Sequence, residues 1–162
     1  MALISVKEVS LTKDVLEEIR KIDLEFYPNI GAIDWYLARY RPWHTAFLAL
    51  DGEKIIGYLA AMPVQKELYD AIVNGVLVDD LGVNPNMYLQ ESAYYYAGSI
   101  VIRKEYWGQH ISRRLIDLFF SKYADKKICA LTVSKAGYHL ASRYFTLAKQ
   151  ISENVGVFVY GA

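Results

Sequence analysis

Ser99-Ile-Val-Ile-Arg-Lys-Glu-Tyr-Trp-Gly-Gln-His-Ile-Ser-Arg-Arg-Leu115 is the stretch on which the fold turns. Its apolar start reads as the end of a β-strand. A polar turn with one glycine, Gly108, follows. Ile111, Leu115, Leu118 and Phe119 then recur at helical spacing, so the turn feeds directly into an amphipathic helix. Backbone N–H groups at a helix start have no partner inside the helix and attract anions. Arg113 and Arg114 follow at once, and the junction reads as a local site for a pyrophosphate-like anion.

Upstream, Ile4 to Val9 alternates as a strand, and Thr12 or Asp14 can cap a helix carrying Val15, Ile19, Ile22 and Phe26. Tyr27-Pro-Asn-Ile-Gly31 breaks that helix, and Ile33 to Tyr40 forms a second one before Pro42. Thr45 to Leu50 and Lys54 to Met62 read as a hairpin around Asp51-Gly52. Lys66 to Val73 is one or two helical turns, and Val76 to Gln90, with Gly82 and Pro85, is a loop of the length often found in functional lids. Ala93 to Ile102 is a buried central strand whose Gly98 marks a bulge or a close backbone approach. Downstream come a buried strand over Lys127 to Val133, a helix opening at Ala136-Gly137 and carrying Leu140, Tyr144 and Leu147, and a last strand over Val155 to Tyr160.

The order β-α-α-β-β-(α)-β-α-β-α-β mixes antiparallel and parallel pairing in one sheet, an α/β (α+β) class. At 162 residues the chain reads as a single domain over 1–162, with 54% hydrophobic residues to fill a core. Lys plus Arg and Asp plus Glu balance at 18 each, which argues against nucleic acid or an anionic membrane as a partner. No apolar run reaches membrane-spanning length, and a cytoplasmic setting is expected. Cys129, the single cysteine, reads as a core thiol, and no metal-ligand spacing occurs.

The element order and the Ile102-to-Ser112 junction resemble the GCN5-related N-acetyltransferase (GNAT) superfamily over nearly the whole chain. The resemblance implies a mixed, mostly antiparallel central sheet with a splayed strand pair and about four flanking helices. The family motif places Arg or Gln, two residues, Gly, one residue, and Gly or Ala after the strand. Trp107, His110 and Ser112 stand at those three positions. The motif glycines let backbone amides approach the coenzyme A pyrophosphate; here Ser112 brings a hydroxyl and His110 a ring nitrogen instead.

By the same resemblance the cofactor is acetyl-CoA. Ser99, Ile100, Val101 and Ile102 hold the pantetheine arm, and Trp107, Gly108, Gln109, His110, Ile111, Ser112 and Arg113 hold the phosphates. The resemblance implies direct attack of an amine on the thioester in a ternary complex. Tyr144 matches the family tyrosine that protonates the leaving thiolate, without the Gly-Phe pair that usually follows it; its spacing also suits a core position. Tyr96 stands where some members carry a glutamate base, so the base is absent, a water relay, or another carboxylate. Glu91, Asp79 and Asp80 are nearest in sequence, and Glu91 is favoured. Tyr27, Asn29, Trp35 and Tyr96 are assigned to the acceptor, a small-molecule or peptide amine. A catalytically silent acyl-coenzyme A-binding or protein-interaction domain is the rival, and a homodimer is left open.

Overall fold

The computed structural model describes residues 3–77 and 83–161. Asp79, Asp80 and Gly82 lie outside the described residues. The elements are β1 (Ile4–Ser10), α1 (Lys13–Asp23), α2 (Ile33–Arg39), β2 (Thr45–Asp51), β3 (Lys54–Pro63), α3 (Lys66–Val73), β4 (Tyr94–Ile102), α4 (Ile111–Tyr123), β5 (Lys127–Leu131), α5 (Lys135–Tyr144), β6 (Thr146–Ser152) and β7 (Val155–Tyr160). Short 3-10 turns at Pro85–Met87 and Lys104–Tyr106 precede and follow β4. The seven strands form one sheet in the order β1-β2-β3-β4-β5-β7-β6, with β4 and β5 parallel and β1–β2, β2–β3, β5–β7 and β6–β7 antiparallel. The chain divides into two compact units, Met1–Ala60 with Ser99–Tyr123 and Ala61–Gly98 with Ala124–Ala162.

In the first unit, β2 pairs antiparallel with β1 and β3. Gly52 takes φ +62 in the hairpin turn, the left-handed conformation that makes Asp-Gly a turn signal. Thr12 rather than Asp14 caps α1, its hydroxyl accepting from Val15 N–H at 3.3 Å. Leu16, Ile19 and Ile22 form the buried stripe of α1. In α4 the buried set is Ile111, Leu115, Ile116 and Phe119; Ile116 takes the place expected for Leu118, which is half-buried. Phe119 meets Phe47 of β2 edge-on at 5.7 Å.

The second unit holds the main departure from the sequence reading. The β4–β5 ladder runs from Tyr94–Lys127 to Ala97–Ala130, β7 pairs antiparallel with β5, and β6 with β7. The helix that opens near Ala136 is α5, capped by Ser134 Oγ accepting from Gly137 N–H at 3.1 Å. It stops at Tyr144, because Phe145 turns extended (φ −124, ψ 165). Leu147 therefore lies on β6, not on the helix, and is 43% exposed. Asn154, at φ +62, closes the β6–β7 turn. Lys66–Val73 makes a full helix, the fifth among the described residues. None of the described helices is long and apolar enough to cross a membrane.

Two close approaches position β4. A Cβ on Gly57 would come within 2.5 Å of Ile102 Cδ1 and 2.9 Å of the Val101 carbonyl oxygen. A Cβ on Gly98 would meet the Tyr96 ring at 3.1 Å. Hydrogen bonds from Val64 N–H to Tyr94 O and from Arg103 N–H to Ile56 O bracket β4. Eight steps separate 56 from 64 and nine separate 94 from 103, so the β4 side has one more residue between the two bonds than the β3 side. Gly57→Ala is expected to destabilise the protein by about 1–3 kcal/mol, because the facing carbonyl is backbone and cannot swing aside. Urea denaturation measures it, and an unchanged midpoint would contradict the close approach.

Candidate functional site

The junction after β4 begins with Arg103. Its guanidinium pairs with Glu25 just beyond α1, and its Nε donates to Ile55 O at 3.2 Å. The 3-10 turn then carries the chain to Trp107. The indole N–H of Trp107 donates to Ile102 O at 2.9 Å, and its ring stacks on Phe26 at 5.9 Å and 17°. Trp107 is still 59% exposed. Tyr106 donates to an Asp51 carboxylate oxygen at 2.7 Å, and that bond raises its pKa above the usual tyrosine value. Lys54 and Glu105 pair at 2.8 Å.

Gly108 (φ +81) and His110 (φ +57) flank Gln109, and α4 begins at Ile111. The N–H groups of residues 108 to 113 donate to no acceptor among the described residues. Left-handed residues in such a turn gather N–H groups into an anion-binding concavity, and the start of α4 adds its dipole. His110 occupies the first motif-glycine position and keeps a left-handed backbone there. Histidine is among the side chains that tolerate this region best. The two arginines divide their work. Arg114 donates to Ile4 O at 2.9 Å, whereas Arg113 is exposed beside Asp117 at 3.9 Å and remains available to an anion.

Ser99 to Ile102 lie past the last β4–β5 pair, at Ala97–Ala130. On the acceptor side of the assignment, Tyr27 and Asn29 are exposed in the α1–α2 connection. Trp35 is half-buried, with the Arg39 guanidinium 4.3 Å above its ring and Tyr36 edge-on at 5.1 Å. Arg20 ties the same connection by donating to Gly31 O at 2.9 Å. These residues and the 99–113 segment belong to the first unit. The other assigned residues belong to the second: Tyr96 is 3% exposed on β4, Glu91 is exposed ahead of β4, and Tyr144 is the half-buried last residue of α5.

One cluster is absent from the sequence reading. Asp23, 5% exposed, accepts from Tyr36 Oη at 2.6 Å on one oxygen and from Tyr58 Oη at 2.6 Å on the other. Tyr58 Oη is also 2.9 Å from Ser99 Oγ. Burial, followed by the Asp23 carboxylate, drives both tyrosine pKa values well above the usual range. The available signal was an acid seven residues after Leu16, on the buried stripe of α1. Cys129 is buried, its thiol pushed up to about 12 by desolvation, which makes it a core residue as expected. No group of three or more metal-ligating side chains occurs among the described residues.

The acetyltransferase (GNAT) family profile matches residues 14–146. The chain belongs to that family. Acyl transfer from a coenzyme A thioester is the general chemistry of the family. Arabidopsis thaliana NAA60 in complex with acetyl-CoA is similar at TM-score 0.67 and 15% identity, over 98% of this chain and 99% of that one. The ribosomal-protein-S18-alanine N-acetyltransferase from Escherichia coli gives 0.63 at 10% identity, over 96% and 91%. The GphF GNAT-like decarboxylase in complex with isobutyryl-CoA gives 0.70 at 8% identity, over 95% and 98%. At these identities the likeness is one of fold. No curated protein matches the sequence.

The raised groups make stability pH-dependent with a definite sign. Unfolded tyrosine and cysteine ionise from their ordinary values of 10.0 and 9.0, while Tyr36, Tyr58 and Cys129 keep their protons in the folded chain. The unfolded state then binds fewer protons, so their contribution is complete below about pH 9 and is lost as pH rises, by at most about 1.4 kcal/mol per unit per group. Denaturation midpoints should fall from pH 9 upward, and Tyr58→Phe should flatten that fall. An equal slope in the variant would show that Tyr58 ionises in the folded state.

Proposed function

We propose that this protein transfers an acetyl group from acetyl-CoA to the amine of a small molecule, amino acid or peptide, by direct attack in a ternary complex. The supporting observation is the run of unpaired amides from Gly108 to Arg113, set directly after a strand that outruns its parallel ladder. A diphosphate is well matched to such a concentration of N–H donors. In this reading Gly108, Gln109, His110, Ile111 and Ser112 present the donors, Trp107 flanks them with its ring, and Arg113 adds the cation. Ser99, Ile100, Val101 and Ile102 offer backbone groups to the pantetheine arm.

The bound thioester supplies an activated acyl carbonyl; the protein supplies orientation and proton transfers. Tyr144 is assigned the acid that protonates the departing thiolate. Tyr27, Asn29, Trp35 and Tyr96 are assigned to the acceptor, and the aromatic faces suit a cationic amine. Removal of the amine proton is assigned to Glu91, with a water relay as the alternative. A silent acyl-coenzyme A binder remains the second reading, favoured by the side chains of His110 and Ser112 where the family carries small residues.

Coenzyme A at 100 times its dissociation constant should stabilise the folded chain by about 2.7 kcal/mol, seen as a raised melting midpoint. No shift would remove the site. Thiol release from acetyl-CoA against a panel of amines separates the enzyme from the silent binder. Tyr144→Phe should lower turnover while leaving the coenzyme A shift in place; unchanged turnover would take the acid role from Tyr144.

A further inference from the structure

The buried cluster at the end of α1 has a direction. A phenol has one hydrogen to donate, and the Asp23 carboxylate can only accept while ionised. Tyr58 directs its hydrogen to Asp23 at 2.6 Å. It can therefore only accept at its 2.9 Å contact with Ser99, so Ser99 is the donor there. The lone pairs of Ser99 Oγ are left to receive a hydrogen from elsewhere. Ser99 is half-buried and lies in the part of β4 past the β5 ladder. The chain of groups thus runs from a half-buried serine to a carboxylate that is 5% exposed.

The titratable groups that act on this chain of groups come from α1, from α2 and from the residue just past α2. Tyr36 of α2 donates to the second Asp23 oxygen. Tyr40, just past α2, acts electrostatically on both Tyr36 and Tyr58, and Arg20 of α1 acts on Tyr36 in the opposite sense. Both phenols stay protonated through the neutral range, so neither stores charge. Asp23 is the one group of the chain that can end a transfer by taking up a proton.

We propose that Ser99, Tyr58 and Asp23 form a proton relay that deprotonates the acceptor amine, with Ser99 touching the substrate nitrogen. As nitrogen bonds to the acyl carbon, its proton passes to Ser99 Oγ. The Ser99 hydroxyl proton passes to Tyr58 Oη, and the Tyr58 proton to Asp23 Oδ1. Both hydroxyls are restored, Asp23 ends as a neutral acid, and reversal after product release resets the relay. No oxidant or further reactant enters. The inference rests on the amine-acetylation reading above and places the base at Asp23 rather than at Glu91.

The test uses the full chain, acetyl-CoA and the best amine of the panel, with thiol release followed from about pH 6 to about pH 10. Coenzyme A melting shifts are recorded for each variant. Ser99→Ala should keep the shift and lose about 100-fold in kcat near neutral pH, within the range of general-base catalysis. The loss should shrink as pH rises, because solution then supplies the free amine. Ser99→Thr, which keeps the hydroxyl, should restore most of the rate. Tyr58→Phe should reproduce the Ser99→Ala profile. A Ser99→Ala profile parallel to the wild type at all pH, or the pH-dependent loss appearing in Glu91→Gln instead, would overturn the relay. A wild type that binds coenzyme A but releases no thiol would overturn the acetylation reading, and the relay with it.

Discussion

β4 must serve neighbours of unequal length, and the candidate site follows from that mismatch. Its parallel ladder to β5 ends at Ala97–Ala130, while the strand itself continues to Ile102. Backbone polar groups that leave a ladder need other partners, and in a protein interior they rarely go without. The missing side chain at Gly57 lets Val101 and Ile102 at the end of β4 lie close against β3. A strand that outlasts one neighbour offers an extended ligand the hydrogen-bonding pattern of a missing strand. The turn into α4 then offers a cluster of amides.

The turn into α4 is held by side chains at both of its ends. His110 holds a left-handed conformation at the position where glycine is usual in the family. Arg103 fastens the start of the turn to β3 and to the end of α1, and Trp107 returns its indole N–H to the last carbonyl of β4. These ties come from side chains on either side of the 3-10 turn. The surplus N–H groups of residues 108 to 113 come next in the chain.

Much of the architecture was legible because local patterns and burial agree. The Asp51-Gly52 hairpin, the stripe of α1 and the strand-turn-helix around Gly108 all formed as their spacing indicated. β6 was not legible: Thr146–Gln150 is exposed throughout, so no buried face imposed an alternation. Leu147 looked helical only because it continues the spacing of Leu140 and Tyr144, and the extended backbone of Phe145 ends that register. The unpaired amides could be anticipated from a helix start. The partnership of Asp23 with Tyr36 and Tyr58 could not, since it joins residues 13 and 35 positions apart. An acid on a buried stripe was visible; its partners depend on tertiary packing.

β6 has a consequence of another kind. It ends the strand order, and a terminal strand invites pairing with any free strand it meets. Here Thr146, Lys149 and Gln150 stand exposed along it, and the Lys149 ammonium is anchored by the Asn74 carbonyl at 3.1 Å. A lysine fixed on a border of this sort makes docking of a second ribbon costly in desolvation. The same sparse apolar content that hid the segment from pattern reading thus guards the sheet against growing, copy upon copy, into a fibre.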